Sequence, residues 1–158
     1  MTTYYLDTSG IVKYYIPEPG STWIASLTDA KDEHGNWQHV ISISRLGFVE
    51  VAAAIAKRRR TGKISAEVQE RTYALFLNLG KQRFTALPVD DSALELAAEL
   101  TWRHPLRGYD AVHLATALVL NQRLGAARLP SLYFISADET LCQAARDEGL
   151  AVENPNAH

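Results

Sequence analysis

Four carboxylates in this chain are of the right type to hold a hard divalent cation. They are Asp7, Glu50, Asp110 and Asp138. Each follows an apolar strand pattern or lies in an otherwise apolar helix pattern, where an isolated charge is costly unless it is paired, neutralised or bound to a metal. Mg²⁺ and Mn²⁺ prefer such oxygen ligands, and no cluster of cysteine and histidine suggests zinc. The four acids therefore predict one divalent-cation site.

Each acid also has a structural explanation that the sequence alone leaves open. Asp7 and Asp138 each precede a predicted helix, where a carboxylate can cap backbone N–H groups. Asp110 begins a helix and suits the positive end of its dipole. Glu50 is harder to explain, because its helical neighbours three and four positions away are all apolar or small. The alternative for Glu50 is a place at the edge of the core with access to water.

Two further acids show that a position after a strand does not identify a ligand. Asp90 and Asp91 also follow a predicted strand and precede a helix. Convergence in space is therefore required, and the residue pattern does not show it. His113 lies three residues after Asp110 on the same predicted helix face and could orient it. A lone histidine on an apolar helix is more often a hydrogen-bonded core residue, so we do not assign His113 to catalysis.

The bulk composition is that of a soluble globular domain. The 158 residues are 47% apolar and 22% charged, with a formal net charge of -2. This near-neutral balance provides no global basic field for a nucleic acid, although local charge matters more than the sum. The chain has neither a secretory signal pattern nor an apolar stretch long enough to span a bilayer, so we expect a cytoplasmic protein without a membrane partner. The single cysteine, Cys142, is expected to be a small buried hydrophobe.

The elements that must position the acids alternate between strand and helix. Strands are predicted at Tyr4–Leu6, Val40–Ile43, Phe84–Val89, Leu132–Ile135 and Leu150–Val152. Helices are predicted from Ser9 to Ile16, Ser21 to Ala30, Ser44 to Arg60, Ser65 to Gln82, Ser92 to His104, Gly108 to Leu124 and Asp138 to Gly149, with Ser44 as a cap and Ser92 and Glu95 as a capping box. Residues 31–38 and 122–130 are expected to be long connections. The alternation predicts one domain over residues 1–158, a three-layer α/β/α sandwich with a parallel central sheet.

The order and separation of four sequence blocks resemble those of the PIN domain. The blocks are Tyr5–Ser9, Ser44–Ala54, Arg107–Ala115 and Phe134–Asp138. The resemblance is closest to the VapC-type toxins of VapBC toxin–antitoxin systems and covers nearly the whole chain. It implies a sheet in the order 3-2-1-4-5, with Asp7 and Asp138 at the crevice where the strand order reverses. Asp90 and Asp91 would then lie at the far edge, away from the site.

The same resemblance implies a function. The expected activity is endoribonucleolytic hydrolysis of RNA that leaves a 5′-phosphate and a 3′-hydroxyl. Asp7, Glu50 and Asp110 would hold Mg²⁺ or Mn²⁺, and Asp138 would complete or tune the site. Hydroxyl donors around these acids would come from Thr8, Ser9 and Ser136. A small VapB-like antitoxin and a second copy of the chain are the implied protein partners, and the helices between Ser44 and Gln82 are the expected contact surface. Glu139 departs from the resemblance, since a basic residue is common there.

Basic residues for a polyanion are present near the motif blocks. The densest run is Lys57–Arg60 with Lys63, although cations at the end of a helix also suit its dipole and water. Lys13, Arg45 and Arg107 are closer in sequence to the motif acids. We expect RNA to contact some members of these two groups.

The residues argue against two other enzyme classes and leave two related functions open. A dehalogenase-like phosphotransferase or hydrolase would need a second aspartate two residues after Asp7, and that residue is Ser9. No glycine-rich phosphate loop follows a strand, which argues against a nucleotide-binding enzyme. A housekeeping PIN nuclease outside any toxin–antitoxin pair, or a regulatory binding module with an inactive site, would carry much the same sequence.

Overall fold

The computed structural model describes all 158 residues as a single run of alternating strands and helices. The strands are β1 (Thr2–Leu6), β2 (His39–Ser44), β3 (Phe84–Leu87), β4 (Tyr133–Ile135) and β5 (Ala151–Glu153). The helices are α1 (Thr8–Tyr15), α2 (Ser21–Thr28), α3 (Leu46–Arg60), α4 (Ala66–Arg83), α5 (Asp91–Arg103), α6 (Gly108–Ala126) and α7 (Glu139–Asp147). A short 3₁₀ turn at Pro155–Ala157 follows β5.

The five strands form one parallel sheet in the order β3-β2-β1-β4-β5. This confirms the predicted fold class and strand order. β1 lies in the middle, paired with β2 on one side and β4 on the other. The strand order reverses there, so the loops that follow β1 and β4 diverge and leave a crevice at the carboxyl edge of the sheet.

The alternation of side chains along the strands divides the core into two halves. Tyr5 and Phe134 point to the face covered by α5, α6 and α7. The next residues along the same strands, Leu6 and Ile135, point to the opposite face, which α1, α2, α3 and α4 cover. All four side chains are almost wholly buried. Burial on both faces of a parallel sheet fixes the register of β1, because a slip of one residue would exchange the two halves.

Several predicted boundaries were wrong by one or two residues for identifiable reasons. β3 ends at Leu87 rather than Val89, since Pro88 has no N–H to donate to the sheet. The cap of α5 is Asp90, whose carboxylate accepts from the N–H of Ala93, so the predicted Ser92 capping box was wrong. Ser44 ends β2, and its hydroxyl accepts from the N–H of Leu46 just before α3 begins.

The two segments predicted as long connections differ from each other. Residues 31–38 do form a connection, closed by one antiparallel bridge between Lys31 and Trp37. The second segment is a connection only after Ala126, because α6 continues to that residue with Leu124 packed against the core. No helix of the fold combines the length and apolar character that crossing a membrane requires.

Candidate active site

All four predicted acids line one cleft at the carboxyl edge of the sheet, with a volume of about 620 Å³. Asp7 follows β1 and Asp138 follows β4, while Glu50 lies in α3 and Asp110 in the first turn of α6. Asp90 does not line this cleft, and its carboxylate pairs instead with Arg123 at 3.1 Å. The tertiary structure thus separates the four candidates from the acid that shares their local pattern.

Asp7 is the most constrained of the four carboxylates. Its Oδ1 accepts from the Ser9 hydroxyl at 2.6 Å and from the N–H of Gly10 at 3.0 Å. Its Oδ2 accepts from the Ser136 hydroxyl at 2.6 Å. The residue is only 5% exposed, and burial raises its pKa, although these three donors and the charge of His113 oppose the rise. Asp7 therefore caps α1 and is also a rigidly held acid on the cleft wall.

Glu50 is held by a chain of polar groups that reaches into the core. Its Oε2 accepts from the Thr8 hydroxyl at 2.6 Å and contacts Nε2 of His113. The other ring nitrogen of His113 lies 3.1 Å from the hydroxyl of Tyr5, which is fully buried. Burial would raise the pKa of Glu50, but the hydrogen bond and charge of His113, with the Thr8 hydroxyl, bring it below its usual value. Glu50 is therefore ionised at neutral pH.

His113 does not orient Asp110, although their spacing would have allowed it. His113 turns inward from α6 and contacts Glu50, Thr8 and Tyr5. It is nevertheless a hydrogen-bonded core histidine, as its apolar helix indicated, and is 2% exposed. Its contact with a carboxylate on another helix depends on how α3 and α6 meet, which no local pattern shows.

Asp110 and Asp138 both lie beside the guanidinium of Arg107, a contact that the sequence analysis did not predict. Nε of Arg107 donates to Oδ2 of Asp110 at 2.8 Å, and Nη2 lies 3.9 Å from Oδ2 of Asp138. Asp138 also caps α7, since its Oδ1 accepts from the N–H of Leu141 at 3.0 Å. The spacing of Arg107 and Asp110 at the start of a helix was a usable signal for their pair.

The residue types of the cleft fit a divalent cation, but the four acids are not gathered into a ligand cluster. No three histidine, cysteine or acidic side chains stand close enough together to hold one ion. Asp7, however, is a buried carboxylate whose hydrogen-bond donors are all neutral, and Oδ2 uses a single donor. A buried charge that no cation contacts directly is unfavourable, and the more distant charge of His113 only partly offsets this cost. A divalent ion bound by Asp7 and the neighbouring carboxylates would remove that cost.

Of the basic residues named in the sequence analysis, some line the cleft and others do not. Lys13, Lys57 and Arg58 line it, whereas Arg45 lines a neighbouring cleft. Lys13 and Arg58 both pair with Glu18.

Glu139, the acid that departs from the expected pattern, does not line the cleft. Its carboxylate is exposed and accepts from Arg146 at 2.7 Å and from Asn154 at 3.2 Å. Its charge is therefore neutralised outside the cleft rather than added to the four acids.

Comparisons with known proteins show what the whole chain is similar to. A family model described as PIN domain matches residues 4–147. Ribonuclease VapC46 from Mycobacterium tuberculosis (strain ATCC 25618 / H37Rv) is 31% identical over 156 residues, which cover 99% of this chain and 100% of that protein. Ribonuclease VapC47 from Mycobacterium tuberculosis (strain CDC 1551 / Oshkosh) is 29% identical over 153 residues, 97% of each chain.

A solved structure shows a similar fold at low identity. The crystal structure of VapBC2 from Rickettsia felis, bound to a DNA fragment from their promoter, superimposes with a TM-score of 0.63 at 14% identity. The match covers 97% of this chain and 98% of that chain. At this identity the likeness concerns the fold alone.

Proposed function

The chain belongs to the PIN domain family, and we propose that it is a metal-dependent endoribonuclease, the toxin of a type II toxin–antitoxin pair. The observation that carries the proposal is the single cleft at the strand-order reversal that Asp7, Glu50, Asp110 and Asp138 all line. Ribonucleases of the VapC type resemble this chain over nearly its whole length, which supports the choice of RNA as substrate.

The four acids take different parts in the proposed reaction. Asp7, Glu50 and Asp110 would hold Mg²⁺ or Mn²⁺, and Asp138 would complete or tune the site. When bound, the ion supplies an activated water molecule and neutralises charge on the scissile phosphate. Ser9 and Ser136 fix the orientation of the Asp7 carboxylate, so its position costs no reorganisation when substrate arrives. Thr8 and His113 do the same for Glu50 and keep it ionised.

RNA approaches along the basic side of the cleft. Lys57 lines the cleft and forms no ion pair, so its ammonium is free for a phosphate. Arg59, Arg60 and Lys63 are exposed but do not line the cleft. They add a local positive potential at the end of α3, which attracts a polyanion despite the net negative charge of the chain.

Protein partners bind the surface formed by α3 and α4. Three large apolar side chains of α4 are substantially exposed: Tyr73, Leu75 and Leu79. A groove of about 380 Å³ between the two helices is lined by Ala52, Ala56 and Tyr73 among others, whereas Leu75 and Leu79 lie outside it. Exposed apolar surface of this kind is typical of protein–protein contact. We assign it to the small antitoxin and to a second copy of the chain.

A cleavage assay tests the enzymatic part of the proposal. Purified protein should cut single-stranded RNA with Mg²⁺ or Mn²⁺ and leave it intact with EDTA. Asp7→Asn or Asp110→Asn should abolish cutting while circular dichroism shows an unchanged fold. Asp90→Asn is the matched control, because Asp90 also stands between a strand and a helix but lies outside the cleft. Equal cleavage by all three variants would contradict the catalytic assignment, and an inactive wild type would favour a regulatory binding module.

A growth assay tests the biological part. Expression of this chain alone should arrest bacterial growth, and co-expression of the small neighbouring gene product should restore it. Asp7→Asn should not arrest growth. A wild type that cuts RNA but never arrests growth, or that has no small neighbouring gene, would instead identify a housekeeping nuclease.

A further inference from the structure

Arg107 is placed unusually for a surface arginine, because its only polar side-chain contacts are with two candidate metal ligands. The guanidinium donates to Asp110 through Nε at 2.8 Å and through Nη2 at 3.5 Å. Nη2 also lies 3.9 Å from Asp138. The side chain is 81% exposed. Solvent therefore reaches the guanidinium freely, and the two carboxylates alone hold it over the cleft.

The other cations of the cleft are used elsewhere. Lys13 and Arg58 pair with Glu18, and Lys57 pairs with no acid. Arg107 is therefore the one lysine or arginine that pairs with any of the four site acids. Its charge compensates the carboxylates on the α6 and α7 side of the cleft, where an ion would need the same oxygen atoms.

We propose that Arg107 competes with the divalent ion for Asp110 and Asp138 and, once displaced, contacts a phosphate of the RNA. The inference rests on the proposed function, because it concerns the same ion and substrate. The planar fork of a guanidinium matches both carboxylate and phosphate. The guanidinium end of the pair is open to solvent, whereas the Asp110 side chain is 19% exposed. Solvent weakens an ion pair that it reaches, so an ion can take over the Asp110 oxygens at modest cost. The same side chain then stands free at the rim of the cleft.

Binding of Mn²⁺ in the absence of RNA tests the competition. Electron paramagnetic resonance of free Mn²⁺ gives the affinity of the wild type and of Arg107→Gln. The variant should bind about three- to ten-fold more tightly, as expected when a weak exposed pair and a nearby positive charge are removed. Arg123→Gln is the matched control, because Arg123 is also an exposed arginine paired with an aspartate, but outside the cleft. It should bind Mn²⁺ as the wild type does.

Cleavage at saturating Mn²⁺ tests the second role. Arg107→Gln should raise KM for a single-stranded oligoribonucleotide about three- to ten-fold. The slope of log RNA affinity against log salt concentration should fall in magnitude by about 1, which is the effect of one lost phosphate contact. Arg123→Gln should change neither value. Tighter ion binding together with weaker RNA binding is a pair of effects that mere loss of structure does not produce.

The outcomes separate this inference from the proposed function. If the wild type binds Mn²⁺ and cuts RNA, but Arg107→Gln binds Mn²⁺ equally or more weakly, only the role of Arg107 is overturned. If Arg107→Gln binds Mn²⁺ more tightly with an unchanged KM, the phosphate contact is overturned. If the wild type binds no Mn²⁺, the ion site and the competition are both overturned.

Discussion

Asp7→Asn is expected to make the ion-free protein more stable while it abolishes activity. Asparagine is as good a cap as aspartate, so the N–H of Gly10 and the hydroxyl of Ser9 keep an acceptor. The amide nitrogen that replaces Oδ2 can donate to the Ser136 hydroxyl, which leaves the Ser136 proton without its acceptor, at a cost of about 1 to 3 kcal/mol. Against this, the substitution removes a buried charge, whose desolvation costs several kcal/mol.

The expected net gain is about 1 to 2 kcal/mol at pH 7, since the three neutral donors recover only part of the desolvation cost. For a chain of this length that corresponds to a rise in Tm of about 3 to 6 °C. The sign depends on pH. Burial raises the pKa of Asp7 above 3.8, so the wild-type carboxylate destabilises the fold increasingly as pH rises through its folded pKa. As pH falls toward and below 3.8, the wild-type carboxyl is protonated in the folded and then also in the unfolded state, so the advantage of asparagine should shrink and then disappear.

Differential scanning calorimetry in EDTA at pH 4 and pH 7 measures both effects. Asp138→Asn is the control, because Asp138 caps α7 but its side chain is 39% exposed, and it should shift stability by less than about 0.5 kcal/mol. Saturating Mn²⁺ should raise the Tm of the wild type and not that of Asp7→Asn. The reasoning is refuted if Asp7→Asn is less stable than the wild type in EDTA at pH 7, or if the difference does not change with pH.

Three further experiments test the packing: a comparison of two glycine substitutions, one tyrosine substitution and one cysteine labelling reaction. Gly20→Ala should destabilise the fold by more than about 1 kcal/mol in urea titrations, because φ is +83° and the added Cβ would lie 2.2 Å from the Pro155 carbonyl oxygen. Gly35→Ala is the control, since its φ is +82° but the space around it is open, and it should lower the free energy of unfolding by only about 1 kcal/mol. Equal losses of stability in the two variants would contradict the steric argument. Tyr5→Phe should lower the free energy of unfolding by about 1 kcal/mol, since it removes a buried hydrogen bond to the site histidine. Cys142 is buried and its pKa is raised to about 11, so Ellman's reagent should label it at pH 8 only after unfolding; rapid labelling of the native protein would contradict its burial.

Local patterns were sufficient for the elements and for the list of acids. The succession of short apolar strand patterns separated by helical patterns predicted a parallel sheet between helices, because consecutive parallel strands need crossover connections. The ends of elements were less well determined. Pro88 shortened β3 through its missing N–H, and Asp90 rather than Ser92 capped α5. Both acids and hydroxyls cap helices well, so the sequence contained competing signals at that point.

The sequence by itself determined which residues could do chemistry, and it placed Asp7 and Asp138 directly after strands. It could not say which acids meet, since Asp90 has the same local pattern and lies elsewhere. Only the tertiary structure brought Glu50 against His113 and placed Arg107 between Asp110 and Asp138. The Glu50–His113 contact joins helices from the two sides of the sheet, and the Arg107–Asp138 contact joins the starts of α6 and α7. Their energies depend on distance and burial in three dimensions, and no periodicity along the chain encodes them.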